Sequence, residues 1–124
     1  MHELAVCQAL LTEVERAAAG SRAGPAIRIV LRLGPLCGVE PRLLARAFEF
    51  ARVGGVAAEA ELCIEPTAVQ VECALCQRVS DAAPNRLICG HCGAWHTRLV
   101  TGDELLLQRV EFRAAAAPAV TAAA

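Results

Sequence analysis

The chain has 124 residues, a formal net charge of −1, 20% charged residues and only 3% aromatics. That length suits one ordinary domain, or one with a small appendage, and the near-neutral balance lacks the basic excess that marks a nucleic-acid binder. The apolar fraction of 56% is carried mainly by Ala, Val and Leu and never runs uninterrupted for a membrane span, so no membrane partner is expected.

The chain opens Met1-His2-Glu3, and an acid at position 3 without a basic leader argues against a signal peptide. This reads as a cytoplasmic protein. Residues 3–19 are predicted helical, because Leu4, Cys7, Leu11, Val14 and Ala18 recur at steps of three and four. The cluster Gly20-Ser21-Arg22-Ala23-Gly24-Pro25 ends that helix. Residues 26–33 alternate, with Ile27, Ile29, Leu31 and Leu33 expected on one face and Arg28, Val30 and Arg32 on the other, which predicts a half-buried strand. A second helix is expected to start near Glu40, with Pro41 at its first position, where the missing N–H costs nothing. Leu44, Ala47, Phe48 and Ala51 give it an apolar face, and Gly54-Gly55 stops it. Residues 60–65 predict a second strand with Leu62 and Ile64 on one side, and Val69-Gln70-Val71 an extended arm beyond it. Residues 104–112 predict a last strand, with Leu106, Val110 and Phe112 on one face. The Ala-rich tail, residues 114–124, offers no face to pack.

Residues 73–97 break every period. They hold four of the seven cysteines, two of the three histidines and many turn residues, so they need a staple other than an apolar core. Cys73-x2-Cys76 is followed, after twelve intervening residues, by Cys89-x2-Cys92. Four thiolates in two short pairs suit a tetrahedral zinc with no open position, which is a structural and not a catalytic site. An odd cysteine count without a secretory leader argues the same way against a disulfide framework. His91 or His96 could replace a thiolate or hydrogen-bond to one, but the favoured reading is solvated loop histidines; Cys7 and Cys63 read as small buried hydrophobes, and Cys37 is ambiguous, with an inert thiol favoured. The expected fold is α+β: a three-stranded sheet with two helices on one face, formed by 1–68 and 102–113, plus an inserted zinc-ribbon-like module, 69–101.

His2 beside a free α-amine is a second candidate site. The amine, the His2 amide nitrogen and an imidazole nitrogen can form fused chelate rings, a donor set that favours square-planar Ni(II) or Cu(II). Glu3 could complete the plane through its backbone nitrogen or cap it with its carboxylate. A nucleophile–base set and a phosphate loop are both missing, so no enzyme activity is expected. The competing reading, a zinc-ribbon module for nucleic acid or protein, finds thin support in Arg78, Arg86, Trp95 and Arg98.

These motifs together resemble the HypA/HybF family of nickel–iron hydrogenase maturation factors. The match runs in order through Met1-His2-Glu3-Leu4, Ile29-Val30-Leu31-Arg32-Leu33-Gly34, Leu36-Cys37-Gly38-Val39-Glu40-Pro41, Ala47-Phe48-Glu49-Phe50, the two cysteine pairs and Gly102-Asp103-Glu104-Leu105. The resemblance implies a nickel metallochaperone binding Ni(II) at Met1, His2 and Glu3, with structural Zn(II) at Cys73, Cys76, Cys89 and Cys92. The first domain is then the nickel-binding one. It also implies delivery of nickel to the hydrogenase large-subunit precursor together with a HypB-type GTPase, and in some members service to urease maturation proteins. The expected assembly is a monomer or a weak homodimer.

Overall fold

The computed structural model describes residues 2–20 and 24–114, so Met1, part of the 20–25 breaker cluster and all of the tail after Ala114 lie outside the described residues. The elements are α1 (Glu3–Ala19), β1 (Ala26–Leu33), α2 (Pro41–Ala51), β2 (Glu61–Pro66), β3 (Gln70–Cys73), β4 (Val79–Asp81), β5 (Thr97–Thr101) and β6 (Leu105–Phe112). Each of the two helices and three long strands expected from periodicity is present, with ends within a residue or two.

The helix starts follow from their capping groups. Glu40 caps α2, its Oε1 accepting the Arg42 N–H at 3.0 Å, and Pro41 follows at the first helical position. At α1 the cap is His2, whose Nδ1 accepts the Ala5 N–H at 3.4 Å. Histidine is not a favoured cap, so this role was not legible in the sequence.

Strands order β2-β1-β6 in one sheet and β4-β3-β5 in another. β1 and β6 run antiparallel: Gly24 donates to Arg113 at one end, and Gly34 donates to Glu104 at the other, both at 2.8 Å. β1 and β2 run in the same direction, since Arg28 meets Glu61 near their starts and Thr67 N–H reaches the Leu33 carbonyl at their ends. Parallel neighbours need a crossover, and α2 supplies it. The second sheet is antiparallel throughout, with Val71 opposite both Ser80 and Leu99.

The chain forms two compact units. One comprises the described residues within Met1–Val30, Glu40–Cys63 and Leu107–Ala124; the other comprises Leu31–Val39 and Ile64–Leu106. In the first unit α1 packs on α2, and Cys7, Val14, Ala26, Ile29, Val30, Leu44 and Phe48 are buried. Cys7 Sγ donates to the Leu44 carbonyl at 3.4 Å, tying one helix to the other. The second unit buries Leu31, Leu33, Val39, Val69, Val71, Cys73 and Cys89.

The strand faces depart from strict alternation. Ile27 is 41% exposed whereas Val30 is buried, so two assignments made from period two in β1 are reversed; in β6, Leu106 is 51% exposed. In β1 three consecutive residues, Ile29, Val30 and Leu31, are all buried, so both faces of the strand are covered there. Cys63 is half-buried rather than fully inside.

Candidate metal centre

The four paired cysteines converge. All four Sγ atoms lie within 4.8 Å of one another, with Cys73 to Cys92 and Cys76 to Cys89 each at 3.6 Å. A tetrahedron with zinc–sulfur bonds near 2.3 Å has sulfur–sulfur edges of about 3.8 Å, whereas a disulfide requires about 2.05 Å. The spacing fits a tetrathiolate ion site and not a pair of bridges.

The local folding of the two pairs is the same, sixteen residues apart. Cys73 Sγ accepts N–H bonds from Leu75 and Cys76 at 3.3 and 3.4 Å; Cys89 Sγ accepts from His91 and Cys92 at the same two distances. Cys73 N–H pairs with the Arg78 carbonyl at 2.9 Å, and Cys89 N–H with the Ala94 carbonyl at 2.8 Å. After each second cysteine the backbone turns left-handed, at Gln77 (φ 63°) and at Gly93 (φ 76°). Glycine takes that conformation freely; glutamine does so under strain.

These amide contacts polarise the sulfurs. N–H groups of Cys92 and His91 lower the Cys89 thiol to about 6, and those of Cys76 and Leu75 lower Cys73 in the same way. The partners are held up. The Ala94 N–H works against it, but the Cys73 thiol, burial and the other two sulfurs raise Cys92 to about 11. At Cys76 the Arg78 N–H is likewise outweighed, by burial and by Cys89 and Cys73. Four thiolates cannot all ionise side by side without a cation, and a soft divalent ion removes the conflict. The residues present therefore fit zinc, and among the described residues no other His, Cys, Asp or Glu joins the group. His91 and His96 stay exposed and outside the cluster, as expected of loop histidines, with His96 stacked on Trp95 at 3.9 Å between ring centres. Cys37 also stands apart, its Sγ donating to the Val39 carbonyl at 3.6 Å.

The module is anchored through a dense set of bonds at its two ends. Gly102 has φ +125°, and a Cβ on Gly34 would come within 2.0 Å of the Gly102 carbonyl oxygen. The close approach lets Leu36 N–H reach that oxygen at 2.7 Å. Glu104 Oε1 accepts from Thr67 Oγ1 at 2.6 Å and from Gly102 N–H at 2.9 Å, and these donors hold its carboxyl below its usual value. Thr67, the buried polar residue here, escaped the sequence reading; the Gly102-Asp103-Glu104 motif was the available signal.

Of the N-terminal candidates, His2 is exposed and its imidazole caps α1. Glu3 is half-exposed, and its Oε2 accepts the Glu40 N–H at 3.3 Å. That bond, reinforced by the residue's own amide, holds the Glu3 carboxyl below its usual value.

The family described as hydrogenase/urease nickel incorporation, metallochaperone, hypA, matches residues 1–112. The chain belongs to the HypA family. A HypA hydrogenase maturation factor from Nitrosospira multiformis is 40% identical over 111 residues, covering 90% of this chain and 96% of the relative. The one from Shewanella oneidensis is 36% identical, over 93% of this chain and 98% of the relative. The solution structure of the Ni metallochaperone HypA from Helicobacter pylori superposes with a TM-score of 0.67 at 28% identity, covering 92% and 99% of the two chains. HypA membership accords with the α+β fold, the cysteine cluster and the observation that, among the described residues, no helix is long and apolar enough to cross a membrane.

Proposed function

We propose that this chain is a nickel carrier that binds Ni(II) through Met1, His2 and Glu3 and hands it to the large-subunit precursor of a nickel–iron hydrogenase. Zinc at Cys73, Cys76, Cys89 and Cys92 is structural in this reading. The observation that carries it is that His2 and Glu3 stand at the start of a helix, with His2 open to solvent, in a chain of a nickel metallochaperone family. An exposed site near a chain end suits cargo, because a partner can approach and take the ion by ligand exchange.

On the same reading the first unit handles nickel and the inserted module serves recognition. Partners are a HypB-type GTPase and, for some members, urease maturation proteins. The chain works in the cytoplasm as a monomer or weak homodimer and without nucleic acid. It is not an enzyme, since four thiolates around zinc leave no position for a reacting water.

Nickel titration of the native chain against one carrying an extra residue before Met1 tests the site. The extension moves the α-amine out of the chelate and leaves the cysteines untouched, so nickel affinity should fall by more than tenfold with zinc content unchanged. Equal affinity in the two chains would falsify the N-terminal site.

A further inference from the structure

We infer that the His2 atom that caps α1 is the same atom that would bind nickel, so that metal loading and helix capping exclude each other. The inference rests on the N-terminal nickel site proposed above. Ring closure fixes the donor. The α-amine and the His2 amide nitrogen close a five-membered ring on the ion. From that amide nitrogen, the path through Cα, Cβ and Cγ closes a six-membered ring only at Nδ1; Nε2 lies on the far side of the imidazole. In the structure it is Nδ1 that accepts the Ala5 N–H, at 3.4 Å. A neutral imidazole nitrogen offers one lone pair, so it can hold the proton of Ala5 or the ion but not both.

The rest of the first turn is held independently. Val6 N–H bonds to the His2 carbonyl at 3.2 Å, and Glu3 Oε2 holds the Glu40 N–H. The imidazole can therefore leave its cap position while α1 stays in place, and the freed Ala5 N–H, already at the exposed end, turns to water. A favoured cap would make nickel binding about fivefold weaker than the same chelate on an uncapped start, and this 3.4 Å histidine cap weakens it by a part of that factor. It also supplies an internal competitor. When a partner draws the ion away, the Ala5 N–H recaptures Nδ1 and opposes rebinding.

The test combines an Ala5→Pro variant with amide exchange measured by NMR. Proline at the third helical position removes the N–H that competes for His2, in a first turn that makes no helical bond there. Nickel should bind Ala5→Pro more tightly than the native chain, by up to about fivefold, with unchanged helicity by circular dichroism. In the native chain, saturating nickel should speed exchange at Ala5 and leave Val6 protected. Where the proline variant loses helicity, the exchange measurement alone decides. Unchanged Ala5 exchange at saturating nickel, or equal affinity of two well-folded chains, overturns the inference. The chain extended before Met1 separates this failure from that of the site. If the extended chain binds nickel as tightly as the native one, the N-terminal site itself is wrong and the inference falls with it; if it binds weakly, the site stands and Ala5 exchange reports on the cap.

Discussion

Single residues carry unequal weight in this chain. Gly34 has no room for a side chain, because the Gly102 carbonyl oxygen sits where a Cβ would be. Gly34→Ala should therefore cost about 3 kcal/mol or more in unfolding free energy, read by thermal or urea denaturation of the zinc-loaded protein. Gly38 and Gly54, by contrast, have positive φ, and a Cβ there meets nothing within 4 Å. The cysteines divide in the same way. Cys7 is buried with its thiol pushed up by burial, and its replacement by Ala removes packing and one bond to Leu44. Cys73→Ala removes one of four ion ligands; zinc content should fall and Trp95 fluorescence should shift, while nickel affinity stays within about twofold of the native value. Loss of nickel binding with zinc retained would contradict the assignment of the two sites.

Among the elements, the helices and long strands were legible because each has a period and a start signal. The Glu40-Pro41 pair marked the start of α2, and the alternation over residues 26–33 marked β1. The short strands β4 and β5 had no such signal, and β3 showed only as the extended arm Val69-Gln70-Val71. Three to five residues, interrupted by cysteines and turns, are too few for a period to show. Their pairing is set by cross-strand partners such as Glu72 with Arg98, which are neighbours only once the chain has folded back. The convergence of the four cysteines was legible, because ligand spacing is a local property. The His2 cap and the Glu3–Glu40 bond were not, because they depend on where helix starts fall in space. At the junction of β6 with the module, Glu104 gives a pH prediction. Its folded carboxyl titrates below its unfolded value, so its contribution is whole above the unfolded value and is lost as pH falls through the folded one. Stability of the native chain should therefore drop more steeply than that of Glu104→Gln below about pH 4.5. Parallel curves would show that Thr67 and Gly102 do not favour the ionised form.

For the molecule as a whole, the two units should answer metal removal differently. The cysteine cluster lies in the second unit, which holds the single tryptophan, whereas both helices lie in the first. A strong chelator at neutral pH should change Trp95 emission and release β3, β4 and β5, with most of the helical signal retained. Complete loss of helicity would mean that the first unit cannot stand without zinc. The sixteen-residue repeat of the cysteine turns has a kinetic consequence. The turn ending at Gly93 forms without conformational penalty, while the one ending at Gln77 must enter a left-handed state that costs a side-chain-bearing residue about 1–2 kcal/mol. Capture of the ion should then be ordered in time: Cys89 and Cys92 engage first, and closure of Cys73 and Cys76 limits the rate. Gln77→Gly should quicken zinc-triggered folding in stopped flow, and Gly93→Gln should slow it by removing the early half of the trap.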